Sequence, residues 1–227
     1  MKYIIMCGGH YDAWEKPRQL TEIDGEPLVM RTIRLLRENG VTDIAISTND
    51  ERFEVCGVPL LHHENEFTVH GKDNCDGTWV NGFYPMDEPA CYLLGDVFFS
   101  PEAIRSIVET KVWCVAFFAS SPPFDERYIK TYAEPFAFKV ANQRVFRNAV
   151  RFIQLFHNDP MFDRPPIAWE LWQVIRDKPV NDIDFDSYVA INDYTCDIDS
   201  EKDARKIQEV ISGQNHDPCL SETDVVC

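Results

Sequence analysis

Across residues 1–120, short apolar runs alternate with amphipathic stretches, and this alternation constrains the fold more than any other feature. KYIIMC, TDIAIST, VPLLHH, ACYLLGD and KVWCVAFFA have the length and composition of strands buried on both faces. Between them, PLVMRTIRLLREN sets Val29, Ile33 and Leu36 on one face of a helix, with Pro27 in its first turn and Gly40 at its stop. SPEAIRSIVET gives another helix, with Ser100 as cap and Pro101 at its first position. Buried strands joined through helices pair in parallel, so the pattern predicts an α/β fold. It is a three-layer α/β/α architecture around a mainly parallel sheet.

From 120 to 190 the rhythm changes. SSPPFDERY reads as a loop, EPFAFKVA as a short strand, and QRVFRNAVRFIQLFHN and PPIAWELWQVIRD as helices. YVAINDYTCDIDSEKDARKIQEVIS then gives a strand, an acidic turn and a helix, with Ser200 and Asp203 spaced as a capping box. The organisation expected is a single domain over 1–213 with an insertion at 120–190, followed by a flexible tail at 214–227 that has no period.

Charge narrows the partners. Against 22 Lys and Arg stand 38 Asp and Glu, a formal net charge of −16, which opposes a broad nucleic-acid face but not one small anion site. The eight cysteines include no CxxC pair, and Cys7, Cys91 and Cys114 fall inside apolar runs, the pattern of reduced thiols in a cytoplasmic protein. No segment reaches the roughly 18 apolar residues of a membrane helix. His62, His63 and His70 lack a second cluster at ligand spacing and read as surface histidines rather than a zinc site.

Three stretches carry the chemistry. In YIIMCGGHYDAWEKPRQLTEIDGEPL, a strand ends at Gly8 and Gly9, whose bare N–H groups can approach a phosphate, and Lys16 and Arg18 flank Pro17. The spacing is neither that of a P-loop nor that of a dinucleotide fingerprint. In YLLGDVFF, Gly95 and Asp96 end an apolar strand, placing one carboxylate at the edge where open α/β sheets bind ligands. In CDIDSEKD, Asp197 and Asp199 are two apart in an extended segment and so share a side. Helix capping is the competing reading for Asp203 and Asp199.

In this order the three stretches resemble the nucleotidyltransferase family of NTP transferases, with a GT-A/Rossmann-like sheet, nearest to the CTP:phosphocholine cytidylyltransferase and MobA-like group. Gly8 and Gly9 match the family's glycine loop, Pro17 and Leu20 its Pro-Lys-x-Leu, and Asp24 to Leu28 the Gly-x-Pro-Leu that opens the first helix. Asp96 matches its metal-binding aspartate, and the 197–203 turn matches the turn that supplies a second ligand. The resemblance implies an Mg²⁺-dependent enzyme with two partners, an NTP and a small phosphorylated acceptor such as a sugar phosphate or phosphocholine. No nucleic acid or membrane is involved, and a homodimer stays open. Cys7, Gly8, Gly9, His10, Arg18, Asn81 and Gly95 would surround the nucleotide, although Asn81 also suits a turn. Asp96, Asp197 and Asp199 would hold the metal, and Arg18, Lys16 and Asp96 would act on the reacting phosphate. The 120–190 insertion would carry the acceptor, with Glu134, Lys139, Trp169 and Glu170 as candidates. Its aromatics, Trp172, Phe136 and Phe138 among them, suit either a cationic head or a helix core.

Two departures stand out. The family lysine is Arg18 here, which keeps the charge but presents a fork. The arginine that usually follows the glycines is replaced by HYDAW, leaving Lys16 as the substitute cation and no assigned task for His10 or Trp14. These departures support a non-catalytic nucleotide-binding relative. The other alternative, a metal-dependent glycosyltransferase, would want a D-x-D on the central strand, and GDVFF has one acid.

Overall fold

The computed structural model describes residues 1–11, 16–62, 67–69, 75–125 and 127–214. Trp14, His63, His70 and the tail beyond Gln214 lie outside the described residues. The strands of the main sheet and its flanking ribbon are, in chain order, β1 (Lys2–Met6), β2 (Ile44–Ser47), β3 (Leu60–Leu61), β4 (Ala90–Leu94), β5 (Val97–Phe98), β6 (Val115–Ala119), β7 (Pro135–Val140), β8 (Val189–Ala190) and β9 (Cys196–Asp197). The helices are α1 (Leu28–Glu38), α2 (Pro101–Glu109), α3 (Gln143–Phe156), α4 (Ala168–Ile175) and α5 (Glu201–Gln214).

Seven strands lie side by side in the order β8-β6-β7-β4-β1-β2-β3. β1 runs parallel to β2 and β4, β2 to β3, and β6 to β8, while β7 is antiparallel to both its neighbours. β5 and β9 form a separate antiparallel ribbon with Val97 opposite Asp197.

Side-chain alternation sorts the core into two layers. Tyr3, Ile5 and Cys7 share a cluster with Val29, Ile33 and Leu36 of α1 and Ala103, Ile104 and Ile107 of α2. Ile4 and Met6 point the other way, into a cluster with Phe146, Ala149 and Ile153 of α3 and Ala168 and Leu171 of α4. A sheet apolar on both faces needs helices on both, which is the three-layer arrangement expected.

Local chemistry sets the element ends. Ser100 caps α2 by accepting from Ala103 N at 2.9 Å. Ser200 accepts from Asp203 N and donates to Asp203 Oδ2 at 2.9 Å, so the two pair before α5 as their spacing predicts. Pro27 sits at the cap of α1 rather than inside its first turn. Before it, Asp24 and Gly25, both at positive φ, form the two-residue turn of a tight hairpin joining Glu22–Ile23 to Glu26–Pro27.

The 120–190 segment is built into the sheet rather than set apart from it. β7 lies between β4 and β6, and α3 and α4 cover one face. Opposite β6, Phe118 faces Ala137 while Ala119 faces Pro135, which leaves Phe136 as an extra residue in a bulge. No helix among the described residues is long and apolar enough to cross a membrane. Cys7, Cys56, Cys91, Cys114 and Cys196 are free thiols.

Candidate active site

The order of strands reverses beside β1: α1 leads from it to β2 on one side, and β4 lies on the other. Parallel strands end on one edge, so the residues after β1 and after β4 meet at a topological switch point, where open α/β sheets take ligands. Gly8 follows β1 there, and Gly95–Asp96 follows β4. Gly95 has no room for a side chain. A Cβ would lie 2.5 Å from Met6 O and 2.6 Å from Cys7 Sγ. That close fit lets Asp96 turn out at the strand's end.

A cavity of about 780 Å³ opens at this edge. The sheet edge contributes Gly8, Gln19, Asp96 and Asp197. The 120–190 segment contributes Tyr132, Glu134, Arg164, Trp169 and Phe185, and Trp79 and Gly82 complete the wall.

Arg18 is the hub beside the cavity. It is 3% exposed, and a 3-10 turn over Arg18–Leu20 fixes its backbone. Its Nη2 is 2.6 Å from Asp96 Oδ2 and its Nη1 is 2.8 Å from Asp199 Oδ1. Asp199 Oδ2 accepts from Lys130 Nζ at 3.0 Å. Lys130 also reaches Asp203 Oδ2 at 3.2 Å and lies 3.8 Å from Glu134 Oε1. Glu134 Oε1 in turn accepts from Asp197 N at 3.3 Å. Side-chain contacts thus join four carboxylates, Asp96, Glu134, Asp199 and Asp203, to Arg18 and Lys130, and Asp197 enters through its backbone N–H.

Burial acts first on the titration of these carboxylates, and neighbouring charges oppose or add to it. Burial raises Asp96, with Arg18 opposing and Asp199 adding to the rise. Burial, then Asp96 and Asp199, hold Asp197 well above the carboxylate range, and its buried Oδ1 has no hydrogen-bond partner among the described residues. Burial pushes Glu134 up to about 8 against the pull of Lys130. Asp199 is lowered instead: burial disfavours its charge, but Lys130 and Arg18 outweigh that.

The sequence-based candidates separate. Gly8, Asp96, Asp197, Glu134 and Trp169 line the cavity. Asp199 lies outside the cavity lining, one residue after Ile198 and past the end of β9. β9 ends at Asp197, strand alternation stops there, and both oxygens of Asp199 go to Arg18 and Lys130. Lys139 lies outside the cavity lining. By strand parity it faces α2, where its ammonium donates to the carbonyls of Ile107, Val108 and Thr110. Glu170 is structural in its contacts: it accepts from Ile167 N at the start of α4 and from Arg164 Nε at 2.7 Å. Asn81 accepts from Gln154 Nε2 and is not in the lining. Cys7 is buried beneath Gly95, Gly9 and His10 begin the short strand Gly9–Tyr11, and Lys16 is exposed outside the lining. Phe136, Phe138 and Trp172 are core. Phe138 stacks on Phe117 at 4.5 Å, and Trp172 packs on the same ring. Lys130, Tyr132 and Arg164 were not anticipated. They sit in irregular segments without a period, and the one available signal was that the 197–203 acids need a cation.

Among the described residues no group of three or more His, Cys, Asp and Glu side chains is placed to hold a metal ion. No family model matches the sequence. Solved structures do resemble it. CTP:phosphocholine cytidylyltransferase from Streptococcus pneumoniae superimposes with a TM-score of 0.53 at 18% identity over 92% of this chain and 98% of that one. A Bacillus anthracis protein assigned as a glucose-1-phosphate thymidylyltransferase, solved with sucrose, gives 0.54 at 16% identity over 92% and 94%. Rv0371c from Mycobacterium tuberculosis gives 0.52 at 14% identity over 92% and 96%. The chain has the fold that these nucleotidyltransferase structures share.

Proposed function

We propose that this protein is a nucleotidyltransferase. It would move a nucleoside monophosphate from an NTP to a phosphorylated small-molecule acceptor, a sugar phosphate or a phosphocholine-like compound, and release pyrophosphate. One observation carries the reading: a buried arginine, nine residues after the glycine pair, is held between the carboxylates that follow β4 and β9, beside a cavity at the switch point. The shared fold with a cytidylyltransferase for phosphocholine supports it.

Asp96 and Asp197 fit Mg²⁺. Both offer oxygen donors, Asp197 Oδ1 has no hydrogen-bond partner among the described residues, and burial disfavours the ionised form of each. When bound, the ion would neutralise triphosphate charge and polarise the α-phosphoryl oxygen. The need for it is quantitative: an uncompensated pair of like charges 4 Å apart costs about 4 kcal/mol at an effective dielectric of about 20. Asp96 and Asp197, once ionised, would otherwise repel a triphosphate.

The chain's own residues do the rest by position. Gly8 lets the backbone approach the phosphates, and Arg18 offers its fork to charge that builds as pyrophosphate leaves. Glu134, up at about 8, keeps its proton at neutral pH and can donate a hydrogen bond into the cavity. Tyr132, Trp169 and Phe185 beside it give an aromatic wall suited to a cationic head. The free thiols fit a cytoplasmic setting.

The test is pyrophosphate release from each NTP with Mg²⁺, assayed with phosphocholine and with glucose 1-phosphate, beside thermal shift with the same nucleotides. The absence of both release and an NTP-dependent shift would overturn the reading. A shift without release would leave the non-catalytic relative, which one observation favours: the Arg18 fork is already engaged by Asp96 and Asp199.

A further inference from the structure

Lys130 does not line the cavity, yet it stands where two walls of that cavity meet. It is 9% exposed. Its ammonium lies 3.0 Å from Asp199 Oδ2, 3.2 Å from Asp203 Oδ2, 3.3 Å from the Tyr132 hydroxyl and 3.8 Å from Glu134 Oε1. Tyr132 and Glu134 line the cavity from the 120–190 side. Through Asp199 the contacts continue to Arg18 and then to Asp96, which lines it from the sheet edge. Asp199 is therefore shared. One oxygen belongs to Lys130 and the other to Arg18, and this division keeps the second arm of the Arg18 fork on Asp96.

We infer that Lys130 is a positioning residue that ties the Tyr132–Glu134 wall to the Arg18–Asp96 wall and sets affinity for a nucleoside triphosphate without touching it. The inference rests on the nucleotidyltransferase reading. Without Lys130, both oxygens of Asp199 are free to take Arg18 as a bidentate partner, which is the geometry a guanidinium prefers. That draws the fork off Asp96 and away from the triphosphate. An arginine at 130 keeps the charge and a hydrogen bond to Asp199, so it preserves the division in large part. A lysine that merely clamps the acidic turn onto α5 would affect melting and leave nucleotide affinity alone.

Isothermal titration calorimetry with ATP, GTP, CTP and UTP, each with MgCl₂, tests this on the full chain, with melting temperature measured alongside. Four variants are compared with wild type: Lys130→Met, Lys130→Arg, Asp199→Asn and the Lys130→Met/Asp199→Asn double variant. Lys130→Met is expected to weaken binding about tenfold, within the usual range for coupled sites, and Lys130→Arg to recover most of it. In the Asp199→Asn background, Lys130→Met should cost less than about twofold more, because the path through Asp199 is already cut. Wild-type affinity in folded Lys130→Met would overturn the inference, as would a further tenfold loss in the double variant. The double variant removes one charge of each sign, so the comparison stands even where Lys130→Met alone does not fold. Wild type that binds none of the four nucleotides removes the nucleotidyltransferase reading itself, and the inference with it.

Discussion

Lys130 and Lys139 lie nine residues apart, are both almost fully buried, and make opposite use of burial. Lys139 donates its hydrogen bonds to neutral backbone. Its three donors satisfy carbonyls at the end of α2, which the helix would otherwise leave bare. Burial lowers its pKa, and those carbonyls do not restore it. Burial works against Lys130 too, but Asp199, Glu134 and Asp197 more than reverse it, and its ammonium is held above the ordinary lysine range. A buried cation facing carbonyls holds a scaffold together, whereas one facing carboxylates belongs to a charged site. Of the two, Lys139 drew attention in the sequence because it alternates with apolar residues in AFKV, and that same alternation turns it toward α2.

The comparison is sharpened first at the site end, where substitutions should change turnover and spare stability. Asp96→Asn is expected to lower Mg²⁺-dependent pyrophosphate release by about 10³-fold or more. Its melting temperature should stay close to wild type, because burial already disfavours the Asp96 charge. Full activity in this variant would end the metal assignment. Arg18→Ala follows, with an expected fall of about 10² in kcat and a smaller rise in KM for the NTP. Arg18→Lys should recover only part of the rate. A single ammonium cannot span Asp96 and Asp199 as the fork does, at 2.6 and 2.8 Å. Steady-state pyrophosphate release by the three proteins decides it.

What was legible in the sequence follows the same division. Strands and helices with a strong period were found within a few residues, because burying both faces of a sheet leaves an apolar run that nothing else explains. Asp96 was legible because a strand that ends in glycine and an acid places that acid at the ligand edge. Asp197 was legible for a similar reason, whereas the pairing of Asp199 with Arg18 and Lys130 was not, because Lys130 comes from an irregular segment. VPLLHH shrank to Leu60–Leu61 as the strand ran out at the edge of the sheet. Lys130, Tyr132 and Arg164 were invisible because their roles depend on which irregular segment folds back to the sheet edge, and tertiary packing sets that. The antiparallel run of β7 was equally hidden, since a strand's direction leaves no trace in its composition.

At the scaffold end the expectation inverts. Lys139→Met should cost about 3 kcal/mol of stability, from three buried carbonyls left without donors, partly offset by the apolar side chain. Chemical denaturation measures it. Pyrophosphate release at a temperature where the variant is folded should match wild type. A loss of turnover there would break the distinction between the two lysines, because it would mean that the far side of the sheet reaches the site.

The smallest effect concerns Glu134, the carboxyl that lies 3.8 Å from Lys130 and yet is not won over by it. Burial lifts its pKa from 4.5 to about 8 in the folded protein, with Lys130 opposing. Between those values the folded state keeps a proton that the unfolded chain has released. Stability therefore falls as pH rises through that window, by at most about 1.4 kcal/mol per pH unit, and levels off above the folded value. Asp96 and Asp197, also raised, contribute with the same sign. Glu134→Gln removes one titrating group and keeps an acceptor for Asp197 N, so it should flatten the profile without erasing it. Denaturant unfolding in EDTA should show the wild type losing about 1 kcal/mol more than the variant between pH 6 and pH 7. Identical slopes would mean that Lys130 holds Glu134 ionised as firmly as it holds Asp199, and that the cavity wall at Glu134 presents a full negative charge at neutral pH.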